Sequence, residues 1–256
     1  MIPFFTYEDD IPAGAGYQIF SAKHFACLLT VAVLMAVIGF FFVKQDEKNR
    51  DRILLAIPVF LLCMEASKWI VLFSLHHANI GMLPLHLCGL AVYDYLLASF
   101  LPSEKARSFF GEIAVILLAP GSVFALLLPD WTLYPVWNFF NMYGYLWHEL
   151  LVLYSVLLLI DHRVSPRMYH IWYEAVFLGV IVPPIYVFDR RFKCNYMFVN
   201  WPPEGTPLSW LFSFMGNPGY LLGYAVMAAL VMLVIYVPFE VIHAIRKKDV
   251  SFLPKM

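Results

Sequence analysis

The chain has 256 residues, 62% of them hydrophobic and only 14% charged, with a mean hydropathy of +0.73. A soluble domain carries about 25% charged residues, so a water-soluble globule is excluded. A net charge of −1 gives nucleic acid nothing to bind, and four cysteines with no C-x-x-C pair make neither a zinc knuckle nor a disulfide framework.

The first twenty residues hold Glu8, Asp9 and Asp10 and lack a basic n-region. No cleavable signal is expected, and the first span is expected to insert the chain itself. A membrane-crossing helix needs about 20 predominantly apolar residues. That ruler selects seven segments, at 24–43, 53–75, 82–101, 107–128, 140–160, 169–188 and 216–240. The fold class is therefore all-α, one polytopic seven-helix domain in the cell membrane. The first segment is the cleanest, with only His24 and Thr30 polar. The second carries Glu65 and Lys68, three apart and able to pair on one helix face.

The third segment opens Leu83-Pro84-Leu85-His86-Leu87-Cys88 and continues to Asp94 between Tyr93 and Tyr95. Pro84 suits the first turn of a helix. On a regular helix His86 and Cys88 would point about 200° apart, so the thiol needs a partner from another segment. In the fifth, Asn141, Tyr145 and His148 form a polar stripe at spacings of four and three, with Glu149 beside it. In the sixth, Pro183-Pro184 should kink or end the helix, and Glu174 lies in the inner half. The loop 189–215 then carries Asn195 and Tyr196.

Lysine and arginine set the orientation. Lys44, Lys48, Arg50, Arg52, Lys105, Arg107, Arg163, Arg167, Arg246, Lys247, Lys248 and Lys255 fall in alternate connections and the tail; only Lys23, Arg190, Arg191 and Lys193 fall in the opposite set. Twelve against four puts 1–23 and 189–215 outside and the tail 241–256 in the cytoplasm. Glu65, Lys68, His86, Cys88, His148 and Glu149 then share the outer half of the bilayer, with Asn195 and Tyr196 just above.

Polar groups at that depth are costly and mark sites. An imidazole can deprotonate a thiol, and the thiolate attacks an acyl carbonyl to give a thioester. Cys88 with His148 is the pairing expected from depth. Asn195, Asn141 or a tyrosine hydroxyl could supply oxyanion donors. A structural ion pair at Glu65–Lys68 and a purely packing role for the polar stripe stay open beside this. So does a zinc site built from His86, His148, Glu65, Glu149 and His76-His77, although no H-E-x-x-H spacing is present. A transporter reading would run through Asp94 and Glu174. No G-x-S-x-G elbow is present, which removes serine-hydrolase chemistry.

Glu65-x-x-Lys68, the L-P-L-H-x-C element ending at Cys88, His148, Asn195-Tyr196-Met197-Phe198 ahead of Pro202-Pro203, and Tyr236-x-Pro238-Phe239 together resemble the YwaF family. These are bacterial integral membrane proteins related to an animal transmembrane phospholipid acyltransferase. The resemblance spans nearly the whole chain. It implies Cys88 as nucleophile and His148 as general base, with His86, Glu65, Lys68 and Asn195 orienting or lining the site. It also implies membrane phospholipids as partners, acyl transfer through a thioester, and no cofactor or bound metal. Gly89, directly after Cys88, departs from the family's pattern.

Overall fold

A computed structural model describes residues 2–251; Lys255 and the last residues of the expected tail lie outside the described residues. The described chain is all-helical. Its seven helices are α1 Ala22–Phe42, α2 Glu47–Ser74, α3 Leu87–Phe100, α4 Glu104–Leu127, α5 Phe139–Ile160, α6 Trp172–Phe192 and α7 Pro207–Ser251. All except α3 are long and apolar enough to cross a membrane. Large apolar side chains such as Leu29, Val33, Val37 and Phe41 on α1 are exposed on their surfaces. Such a surface belongs in lipid, so this is a multi-pass integral membrane protein.

The chain divides into two compact units, Met1–Arg163 and Val164–Met256. The first contains α1 to α5. Four of its helices start on polar caps: Ser21 accepts from the His24 amide, Asp46 from Asn49, Ser103 from Ala106 and Asn138 from Phe140. Close to the Asp46 cap, Arg163 bridges Asp161 and Asp51, and Arg50 reaches Asp161 at 2.7 Å, tying the start of α2 to the end of α5. In α4 a π-turn spans Ala114–Leu118, with the Ala119 amide donating to the Ala114 carbonyl. Pro120 follows at once; it has no N–H to give to a carbonyl four residues back, and the wider turn absorbs its ring.

Three expected elements are corrected. The third helix begins at Leu87, not at 82. A short 3-10 turn covers Ile80–Met82, and Leu83 (ψ 146°) and His86 (ψ 158°) are extended. Proline disfavours helical geometry in the residue before it, so Pro84 holds Leu83 out of the helix although the run is apolar. The sixth helix passes through Pro183-Pro184 and ends only at Lys193, whose φ is +56°. The seventh is longer than 216–240, running Pro207–Ser251 with a break where Gly216 (φ 64°, ψ −174°) and Asn217 leave helical geometry.

The second unit packs α6, α7 and the connection between them. Glu174 accepts from the Tyr236 hydroxyl at 3.0 Å, both residues buried. Asn200 holds the connection by donating to the Cys194 carbonyl at 2.9 Å, and Asn217 on α7 accepts from Tyr186 on α6 at 2.6 Å.

Candidate functional site

α3 is 14 residues long, about 21 Å at 1.5 Å per residue, against a hydrocarbon layer of about 30 Å. The non-helical residues 83–86 therefore carry part of the crossing. Non-helical backbone at that depth is tolerated only where protein covers it and its polar groups are met. Here Lys68 on α2 supplies the missing donor: its Nζ reaches the Met82 carbonyl at 3.1 Å. The same ammonium pairs with Glu65 at 2.7 Å. Glu65 also accepts from Trp69 Nε1 and from the Tyr143 hydroxyl, each at 2.9 Å. The pair anticipated from spacing is thus a joint among α2, α5 and the loop before α3.

The segment ahead of α1 lies across this region. Phe4 accepts from the Phe139 amide at 2.9 Å, and Thr6 from Asn138 Nδ2 at 2.8 Å. Tyr7 stacks on His77 at 4.3 Å and donates to the Met82 sulfur. Burial pushes the Tyr7 phenol up to about 12, with Glu8 adding to the effect. The N-terminal residues thereby cover the loop before α3 and the start of α5.

Cys88 falls in the first turn of α3. The N-cap His86 makes no side-chain cap bond. Because His86 precedes the helix, the 200° separation from Cys88 does not apply. Trp147 on α5 donates from Nε1 to the Cys88 carbonyl at 3.2 Å, and its ring stacks on Tyr143 at 5.3 Å. The next residue is His148. Its Nδ1 lies 2.8 Å from the Gly144 carbonyl. A carbonyl can only accept, so Nδ1 carries the proton and Nε2 keeps a lone pair. The imidazole lies flat on Trp131, centroids 5.0 Å apart and planes 12° apart. Trp131 in turn sits on Gly144, where a Cβ would come within 2.7 Å of the indole.

No hydrogen bond joins the Cys88 thiol to His148 among the described residues. Asp130, exposed in the connection between α4 and α5, lies within electrostatic range of His86, Cys88 and His148. Lys68 acts on His86 and Cys88, and Cys88 on Tyr143. The first unit therefore brings Glu65, Lys68, His86, Cys88 and His148 into one neighbourhood.

A model of the TMEM164 family matches residues 19–236. The chain belongs to that family. No curated protein and no solved structure matches it. Every residue just described from Glu65 to His148 lies within the TMEM164-family match, whereas residues 2–18 lie ahead of it.

Other expected residues of this TMEM164-family chain have different surroundings. Asn141 is buried, donating to the Val136 carbonyl at 2.9 Å and accepting from Tyr17 at 2.6 Å. Tyr145 bonds the same Tyr17 hydroxyl at 3.0 Å. Both serve to anchor the N-terminal segment. Asn195 and Tyr196 belong to the second unit; Asn195 Oδ1 accepts from the Asn200 and Trp201 amides at 3.1 and 3.0 Å, and Tyr196 is buried. Asp94 is not paired with its neighbouring tyrosines: both its oxygens are buried without a partner, Tyr93 is exposed, and Tyr95 donates to the Leu151 carbonyl. No group of three or more His, Cys, Asp and Glu is placed to hold a metal among the described residues.

Glu65 carries a sharp expectation. Replacing it with leucine leaves the Lys68 ammonium without its counter-charge and strips Tyr143 and Trp69 of their acceptor. Losing one partner of a buried pair costs about 3–5 kcal/mol, and partial solvent access reduces this to about 2–3 kcal/mol. Thermal denaturation in detergent should show Glu65→Leu well below the parent, with Glu65→Gln between them. Equal melting of all three would remove the joint from the account.

Proposed function

We propose that this TMEM164-family protein is an intramembrane lipid acyltransferase, with Cys88 as nucleophile and His148 as general base. The reading rests on one observation above others: the Gly144 carbonyl fixes the His148 tautomer with its Nε2 lone pair free, one residue from the tryptophan that bonds the Cys88 backbone. His148 Nε2 takes the thiol proton. The thiolate forms a C–S bond to an ester carbonyl carbon, the ester C–O bond breaks, and the departing alkoxide takes the proton back from His148. A second lipid hydroxyl then attacks the thioester, giving its proton through His148 to the released thiolate. Water in place of that hydroxyl gives hydrolysis. The L-P-L-H-x-C resemblance to the YwaF family and its animal acyltransferase relative points the same way.

The reading is tested by trapping the acyl-enzyme. Protein incubated with phosphatidylcholine carrying an isotopically labelled acyl chain should gain one acyl mass on the peptide bearing Cys88, released by neutral hydroxylamine. An unmodified Cys88, or equal modification of Cys27 and Cys63, would overturn it. Transporters and assembly proteins form no such adduct.

A further inference from the structure

A cavity of about 610 Å³ lies within the first unit, walled by α1, α2 and α5 and roofed by Phe4, Val136 and Trp137. Its size is that of a ligand site, typically about 300–1,000 Å³. Most of its wall is apolar, as at Val31 and Leu34 on α1 and Met142 and Leu146 on α5. The polar groups near its upper end already have partners. Thr30 bonds the Ala26 carbonyl, Ser67 the Met64 carbonyl, Tyr143 the Glu65 carboxylate, and Cys27 interacts with Tyr145.

Glu149 is the exception. It lines the cavity, is 3% exposed, and has no hydrogen bond or ion pair among the described residues. It stands ten residues into α5, about 15 Å below Phe139. A carboxyl group held in an apolar cavity without a partner forgoes one or more hydrogen bonds, and such groups in membrane segments mark ligand paths.

We propose that this cavity binds a long-chain lipid with a free hydroxyl, such as a monoacylglycerol, and that Glu149 holds the hydroxyl. The chemistry selects that class. A hydroxyl accepts from a carboxylic acid and donates to a carboxylate, so it meets Glu149 in either protonation state. A phosphate headgroup finds no Lys, Arg or His on the cavity wall among the described residues, and a fatty carboxylate would add a second negative charge beside Glu149. The chain lies along Val31, Leu34 and Leu146, an apolar wall that suits an acyl chain. This site does not depend on acyl transfer, although Tyr143 forms part of its wall and interacts with Cys88.

The test uses the purified full chain in detergent with a monoacylglycerol whose acyl chain carries a diazirine. Photolysis should label peptides from α1 and α5, and unlabelled monoolein should compete. Glu149→Gln, which keeps a hydrogen-bonding group, should label within about twofold of the parent, and Glu149→Leu about fivefold less. Val31→Trp, which fills the cavity from α1, should lose labelling while leaving Glu149 in place. Labelling elsewhere, undiminished labelling of Glu149→Leu and Val31→Trp, or better competition by oleic acid or phosphatidylcholine than by monoolein would each overturn the assignment. Should Glu149→Leu not remain monodisperse, Val31→Trp decides.

Discussion

Cys88→Ala should reduce acyl exchange between phospholipids to background, a loss of about 10³-fold or more, as expected when a nucleophile is removed outright. Its thermal stability should change little, because the Cys88 contact that ties α3 to α5 runs through the backbone carbonyl to Trp147 and not through the thiol. His148→Gln should fall less far, by about 10²–10⁴-fold, the range of a general base. The two losses should not add, since the base acts only through the thiol. The hydrogen bond between them has to form when substrate enters, and catalytic contacts are commonly long or unaligned before that. Exchange that persists in monodisperse Cys88→Ala would end the covalent mechanism. Exchange that persists in His148→Gln, with Cys88 still required, would instead assign the base to His86 or to Asp130.

How the site is held follows from a conflict between lipid and irregular backbone. Residues 83–86 are not helical, so of their amides and carbonyls only the His86 carbonyl joins the helix ladder, accepting from Gly89 and Leu90. Lys68 supports the turn just ahead of them by bonding the Met82 carbonyl, and Glu65 in turn stabilises Lys68. A charged pair inside a span is therefore explained by the backbone it supports, with no need for it to touch substrate. That support also orders the peptide leading directly to His86 and Cys88.

The sequence made the seven apolar helices legible, because hydrocarbon thickness imposes a length that composition alone can satisfy. The Glu65–Lys68 pairing was legible too, from helical spacing. The start of α3 was not. Met82, Leu83 and Leu85 are as apolar as any helix, and hydropathy is blind to the extended geometry that Pro84 enforces. Asp130 and Trp131 were missed for a different reason: they stand in a connection, where no period marks a residue, and only tertiary packing sets one beside three titratable groups and the other flat on His148. The one available signal was Gly144, a glycine inside an otherwise bulky span, which a close neighbour would explain. Tyr17 was likewise invisible as the partner of both Asn141 and Tyr145, since 124 residues separate it from the first of them.

Gly89→Ala is expected to impair the protein at the point where loop and helix meet. A Cβ at position 89 would lie 2.6 Å from the Pro84 carbonyl oxygen, 2.7 Å from its carbon and 2.8 Å from its Cα. All three are backbone atoms, so no side chain can swing aside; residues 83–86 must move, and His86 with them. Alanine's better helix propensity offers about 1 kcal/mol in the opposite direction. Overpacking costs about 1–3 kcal/mol, so the net effect on stability should be a modest loss. The effect on turnover should be larger, because displacing reacting groups by about 1 Å can cost 10²-fold. Gly39→Ala on α1 is the matched control: a Cβ there meets nothing within 4 Å, and the helix term alone should leave that variant as stable as the parent or slightly more so. If melting temperature and acyl exchange respond to Gly89→Ala as they do to Gly39→Ala, Pro84 does not pack on the first turn of α3, and the positioning of Cys88 by that loop fails with it.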